Sequence, residues 1–482
     1  MSDASAVDRR TERILHGLLP LEVLRFGAPL ALGMGLQTAF NLIDAYLIAR
    51  LPASVAGPAL GAIGICDQLA ALGTIVSYGI SVAAASMVSR AWGSGDRAAA
   101  RRIAWQSGLL VMVLGCVTAL VGGLGAGLLL SDVMGVKGQV AAQGRDYLAV
   151  VMGGSITMFL VLHFASLLRA VGSGKTPIVF LVLGNVVNLL LAVLFVFGPG
   201  EAPDALAWGP ALAQTLGVPR LELFGAGVAT LLARAIILLP LGIFAARRLG
   251  FWGARTPLLP DLACVRQVAR LAWPSSAELV VRMSAMLLTH ALVARAFTTA
   301  TDQSATTALG IVFRFETMAL FISIGWGSAA QTFVGQNLGA VRPERAKQSG
   351  YWATLYNAAM MGALALAYVA LARPIIGFFD EDPRVLSIAE SYLRWVAPSY
   401  VALGIGIVLA SVMQGAGAPL RALVLDACVV AFVQLPISAL IFWSPQRALP
   451  QVWATVAFSY AVLALVLWTS YRRGRFLNTA LA

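Results

Sequence analysis

The sequence predicts an all-α integral membrane protein, with twelve transmembrane helices in two six-helix bundles related by a parallel internal repeat. Three observations carry this prediction: the composition, the length of the apolar runs, and matching segments half a chain apart. Of the 482 residues, 59% are hydrophobic and 12% charged, about half the usual charged share of roughly 25%. The mean hydropathy is +0.83. So few polar side chains cannot cover the surface of a soluble protein of this length. That excludes a soluble enzyme, a nucleic-acid-binding domain and a disordered scaffold. The apolar runs are about 20 residues or longer and do not alternate, which favours helices over barrel strands.

Runs long enough to cross about 30 Å of hydrocarbon fall at 25–48, 58–88, 103–130, 147–168, 176–198, 223–246, 271–294, 306–334, 350–372, 386–413, 420–443 and 451–471. The second and eighth exceed the bilayer and should tilt or project beyond it. The longest connections are 199–222 and 247–270. Residues 1–20 carry Asp8, Arg9, Arg10, Glu12 and Arg13 and lack the short apolar region of a cleavable signal, so the first span is expected to act as its own signal. Cys66, Cys116 and Cys428 lie in apolar runs and Cys264 in a polar stretch, which implies no disulfide framework.

The net charge of +12 reads as a topology signal once its placement is considered. Most Lys and Arg fall on one side of the predicted membrane. They cluster as Arg9/Arg10/Arg13, Arg97/Arg101/Arg102, Arg247/Arg248/Arg255/Arg266/Arg270 and Arg472/Arg473/Arg475. By the positive-inside rule both termini and the 247–270 connection are cytoplasmic. The expected location is the plasma (bacterial inner) membrane, with lipid as partner and no nucleic acid.

Repeats define the organisation. Gly79–Gly93 (GISVAAASMVSRAWG) matches Gly325–Gly339 (GWGSAAQTFVGQNLG) 246 residues later; Gly172-Ser-Gly174 meets Gly415-Ala-Gly417, and Pro29 meets Pro274. The predicted bundles are 1–248 and 249–482, joined through about 247–270. Six spans per half is an even number, so both halves enter the membrane in the same direction. Parallel repeats of this kind occur in secondary transporters, where binding is expected between the halves near mid-membrane and the halves rock in alternating access.

Candidate site residues are the acids within spans: Asp44, Asp67, Glu278, Glu316, Glu390 and Asp426. An ionisable group in hydrocarbon costs at least about 2.5–3.5 kcal/mol and marks a functional position by default. Glu278 precedes Arg282 by four residues, and Glu390 precedes Arg394 by four. That is the favourable order for a helical ion pair, so a structural pair competes with a transport role. Glu316, Asp67 and Asp426 have no evident local partner.

Asp44 is the leading candidate. Gln37, Asn41 and Asp44 share one helical face. Helix–helix hydrogen bonding explains the amides, but less readily a carboxylate with no cation one turn away. Such an acid could titrate or ligate a hard cation such as Na+. Asn185 and Asn188 offer amide oxygens from the fifth span, with interhelical packing as the competing explanation. Gly172-Ser-Gly-Lys-Thr176 is not a phosphate loop, because position 169 is Arg and the segment follows a membrane helix. His163 and His290 stand alone, so no metal site is expected beyond a transported Na+ at Asp44. No catalytic constellation is visible, which argues against an intramembrane enzyme.

Several segments resemble the multidrug and toxic compound extrusion (MATE) transporters. They are Gly27-Ala-Pro-Leu followed by Gln37-Thr-Ala-Phe-Asn-Leu-Ile-Asp44, then Arg169-Ala-Val-Gly-Ser-Gly-Lys-Thr-Pro177, Gly184-Asn-Val-Val-Asn188, Phe224-Gly-Ala-Gly-Val-Ala-Thr230 and Val334-Gly-Gln-Asn-Leu-Gly-Ala340. The resemblance runs in order from about residue 20 to 475. It implies a V-shaped pair of six-helix bundles that exports organic cations and drugs (xenobiotics) in exchange for inward H+ or Na+. Asp44 matches the first-span aspartate tied to ion coupling in that family, with Asn188 beside it, and Glu278 is a counterpart of a seventh-span glutamate. The sequence also departs from the family: a second aspartate of DinF-like members is Ala192 here, and an acid of NorM-like members is Leu403.

The expected function is therefore a cation-coupled antiporter using Asp44, Asn188 and Glu278 for coupling, with Gln37, Asn41, Asn185 and Glu316 lining the substrate cavity. No cofactor beyond the transported ion and a monomeric state are expected. The alternative is a flippase for a lipid-linked oligosaccharide or cell-wall precursor. Such chains usually have fourteen spans and a cationic cavity, whereas here only Arg234, Arg282, Arg314 and Arg394 lie within spans.

Overall fold

The computed structural model describes residues 2–252, 259–299 and 301–477, apart from the side chains of 2–8, 39–42, 45 and 53. Among the described residues every regular element is helical. In the first half these are α1 (Ser2–His16), α2 (Leu19–Ala49), α3 (Ala53–Gly93), α4 (Arg97–Leu128), α5 (Gly138–Gly153), α6 (Ser155–Ala170), α7 (Lys175–Phe197), α8 (Trp208–Leu216) and α9 (Glu222–Leu249). The second half contains α10 (Leu262–Phe297), α11 (Ser304–Gly339), α12 (Pro343–Ala370), α13 (Ala372–Gly377), α14 (Pro383–Val396), α15 (Tyr400–Gly415), α16 (Pro419–Val429), α17 (Leu435–Trp443) and α18 (Leu449–Arg473).

Eleven described helices are long and apolar enough to cross a membrane, and the pair α5–α6, bent by 43°, supplies a twelfth. The expected fourth span at 147–168 therefore begins earlier and breaks at Gly154. Arg145 and Asp146 hide its first turns from a reading based on apolar length. The long second and eighth spans correspond to α3 and α11, of 41 and 36 residues. At about 1.5 Å per residue both exceed the hydrocarbon thickness.

The packing explains why helices of this composition face outward with their large side chains. On α4, Gly115, Thr118, Gly122 and Ala126 are buried, while Leu120, Leu124 and Leu128 are exposed. A Cβ added at Gly122 would come within 2.1 Å of Met152 on α5, and one at Gly115 within 2.9 Å of Ile156 on α6. Small residues bring the helices together, and leucines face the lipid.

By packing, the chain forms two compact units: Met1–Gly35, Ala85–Asp96 and Trp273–Ala482 in one, Leu36–Ala84 and Arg97–Ala272 in the other. The first unit buries Trp326, Phe333, Tyr400 and Trp453 in its core. Within it the matching glycine segments meet. A Cβ at Gly93 would lie 2.0 Å from the Gln336 carbonyl, and one at Gly339 2.0 Å from the Arg90 carbonyl. The repeat-related glycines are thus the condition for α3 and α11 to cross backbone to backbone. The second unit has cores around Ala192, Val196 and Phe197 and around Leu130 and Leu148.

Turn geometry corrects one repeat register. Gly172 and Gly417 both have left-handed φ, of +80° and +82°. The N–H of Ser173 donates to Leu168, as that of Ala418 does to Met413. The equivalent glycines are therefore Gly172 and Gly417, not Gly172 and Gly415, because these two share the same left-handed turn position. Pro29 and Pro274 share this spacing.

The expected 247–270 connection is shorter than predicted. Arg247 and Arg248 form the last turn of α9, and Arg266 and Arg270 lie within α10; Arg255 lies outside the described residues. Asp261 accepts from the N–H groups of Ala263 (3.1 Å) and Cys264 (3.2 Å), capping α10. It also accepts from the Arg102 guanidinium. The Cys264 N–H first, and then Arg102, hold the Asp261 carboxyl below its ordinary 3.8. Gln106 completes the tie to α4, donating to the Leu259 carbonyl and accepting from the Asp261 N–H, both at 2.9 Å.

Candidate ion-coupling and substrate sites

In the second unit, α2 and α7 face each other through paired polar side chains. Gln37 and Asn185 exchange reciprocal amide hydrogen bonds of 3.2 and 2.9 Å. Two turns along α2, Asp44 accepts from Asn188 Nδ2 at 3.0 and 3.3 Å. The i to i+3 spacing on α7 and the i to i+7 spacing on α2 each keep two polar residues on one face, so each helix turns a polar face to the other. The side chain of Asn41 lies outside the described residues. Asn188 donates with its nitrogen, and its Oδ1 is buried with no hydrogen-bond partner among the described residues. A carboxylate thus stands beside an amide oxygen that no described residue uses.

Three further groups belong to this centre. On α3, Asp67 accepts from the Tyr147 hydroxyl of α5 at 3.4 Å. Arg234 of α9 interacts electrostatically with Asp44, Asp67 and Tyr147. Asp44 has no base one turn away on its own helix, and its cation comes from a helix much further along the chain. No local spacing rule could have found it.

The first unit holds two acidic centres. Arg282 bridges two carboxylates, donating from Nη2 to Glu278 (2.8 Å) and from Nε to Asp426 (2.6 Å). Gln414 Nε2 donates to the other Glu278 oxygen at 3.0 Å. The i to i+4 pair is made as its spacing suggests; the bridge to Asp426, 144 residues away, has no signature in the sequence. Glu316 is fully enclosed and accepts from the hydroxyls of Tyr392 and Tyr460.

Arg282, Asp426, Glu316, Tyr392, Tyr460 and His290 all line one cavity of about 50 Å³, room for a few water molecules. A π-helical segment, Val430–Gln434, forms part of its wall. This irregularity lets Gln434 donate to the Ala285 carbonyl (3.2 Å) and Thr289 (3.3 Å) of α10. The structure thus brings Asp44, Asn188, Gln37 and Asn185 together, and places Glu278 and Glu316 in separate centres of the other unit.

The remaining candidates have structural partners. Glu390 pairs with Arg394 (2.6 Å) and Arg373 (3.4 Å). His163 is buried between two hydroxyls, Ser81 at 3.3 Å and Ser107 at 3.1 Å. Ser107 donates to the Ile103 carbonyl at 2.7 Å, so it accepts from His163 Nε2–H. His163 thus ties α3, α4 and α6 together. Among the described residues no three His, Cys, Asp or Glu side chains form a metal-binding group.

Comparison with known proteins places these features. Residues 29–194 and 274–440 match the family model MatE. An FAD transporter of Shewanella oneidensis is 25% identical over 432 residues, covering 88% of this chain and 89% of that protein. A probable multidrug resistance protein of Bacillus subtilis is 24% identical over 462 residues, covering 94% and 95%. In fold, the chain is similar to a MOP superfamily transporter from Pyrococcus furiosus, with a TM-score of 0.82 at 20% identity, over 97% of this chain and 98% of that one.

Proposed function

The chain belongs to the MatE family, a family of multi-pass membrane transporters and not of enzymes, and we propose that it exports small organic molecules, chiefly cations, in exchange for inward H+ or Na+. The observation that carries this reading is the pairing of Asp44 with Asn188 while Asn188 Oδ1 has no partner among the described residues. An acid beside such an oxygen in a membrane interior suits a proton or a hard monovalent cation. When empty, the centre of Asp44, Asp67 and Arg234 keeps one negative charge in excess in low dielectric. Ion and organic cation then compete for one group, which is sufficient for obligatory exchange. Glu278 is the coupling candidate of the other unit, with Gln37, Asn185 and Glu316 as substrate-contacting candidates. The basic clusters support an inner-membrane protein with cytoplasmic termini.

A second reading, export of a nucleotide-like anion, is favoured by the likeness to the Shewanella oneidensis FAD transporter. Proteoliposomes decide between the two. Under separately imposed H+ and Na+ gradients, one gradient should drive uphill accumulation of ethidium, an organic cation. Accumulation of FAD with no ethidium transport would favour the second reading.

A further inference from the structure

The place of Arg234 follows from contacts on either side of it along α9. Two turns before it, Gly227 lies against the Tyr147 ring, where an added Cβ would come within 3.2 Å. One turn after it, Ile237 presses on Gly184 of α7, where a Cβ would meet it at 2.2 Å. Tyr147 donates to Asp67. Asn188, one turn beyond Gly184, donates to Asp44. Arg234 therefore stands between the contact that leads to Asp67 and the contact that leads to Asp44, and it interacts electrostatically with both. The titratable groups around it are Asp44 from α2, Asp67 from α3 and Tyr147 from α5, with Cys66 of α3 beside Tyr147.

With both acids ionised and Arg234 charged, the centre carries a net charge of −1. Without the guanidinium it would carry −2 in a low-dielectric interior, and two positive charges would be held there. We infer that Arg234 is a resident counter-ion which leaves this centre one charge short of neutral, so that a single proton or monovalent cation is bound and released in each cycle. It acts through Asp44 and Asp67 as a positioning residue. The other unit has the same balance in closer geometry, with Arg282 between Glu278 and Asp426. This inference rests on the proposed coupling role of Asp44.

Charge rescue tests it, with ethidium transport in proteoliposomes as the readout. Arg234→Gln should slow transport and lower the half-maximal concentration of the driving ion, each by about tenfold, the effect of one uncompensated charge worth roughly 1.4 kcal/mol. Arg234→Lys keeps the charge and should stay within about threefold of wild type, given the smaller reach of lysine. Arg234→Gln combined with Asp67→Asn restores the net charge and should recover most of the lost rate and the wild-type ion dependence. A purely steric role for Arg234 predicts no such recovery. The inference is overturned if Arg234→Gln shows wild-type ion dependence, or if the double variant folds yet remains as slow as the single. Asp44→Asn, assayed alongside, reads the coupling role by itself: if it is inactive while the rescue fails, only the role of Arg234 falls.

Discussion

Asp44→Asn is expected to abolish gradient-driven export, by at least about a hundredfold, while the protein still folds and inserts. The substitution keeps the size of the side chain and its hydrogen bond with Asn188, but makes the neutral state permanent. A charge deep in the membrane costs at least about 2.5–3.5 kcal/mol, and a hundredfold corresponds to about 2.7 kcal/mol. That cost is what should drive wild-type Asp44 to take up an ion before the site closes. In the substituted protein nothing exchanges, so substrate binding should also lose its dependence on H+ or Na+. Export at the wild-type rate with unchanged ion dependence would make Asp44 structural, and Glu278 would become the residue to test next.

The largest effect on stability should come from Arg282. Its guanidinium bridges Glu278 and Asp426, which are 4% and 2% exposed. Arg282→Gln strands two carboxylates that have little access to water. Removing one partner of a buried ion pair costs about 3–5 kcal/mol, and here two pairs share the lost cation. Thermal unfolding in detergent should show a clear fall in melting temperature. Replacing the triad together, with Arg282→Met, Glu278→Gln and Asp426→Asn, should recover much of it, since uncharged substitutes avoid the desolvation cost. A single variant that melts with the wild type would mean that the bridge contributes little to the fold.

What can be read from the sequence follows the range of the interactions. The spans follow from runs of apolar residues, and the repeat from local strings such as Gly325–Gly339. The Glu278–Arg282 pair is a contact within one helix turn, so its spacing is informative. Asp426 and Arg234 reach their partners only through tertiary packing, and no spacing rule relates residues so far apart along the chain. The first turns of α5 escape a hydropathy reading because Arg145 and Asp146 fall within the helix, and hydropathy counts them against a span. The stretch 247–270 reads as loop because its arginines are polar. A helix end tolerates such residues, and Arg247 and Arg248 complement the dipole at the last turn of α9. The Gly172 register needs backbone dihedrals, because the string Gly-x-Gly occurs in both halves two residues out of step.

The most direct measurement is ion movement driven by substrate alone. Proteoliposomes carrying the protein, with equal H+ and Na+ on both sides, receive an ethidium gradient, and internal pH and Na+ are followed by dyes. Wild type should move one of the two ions against the direction of ethidium, and Asp44→Asn should move neither. Ethidium flux without any counter-movement of H+ or Na+, or the same ion movement in Asp44→Asn, would contradict cation exchange at Asp44.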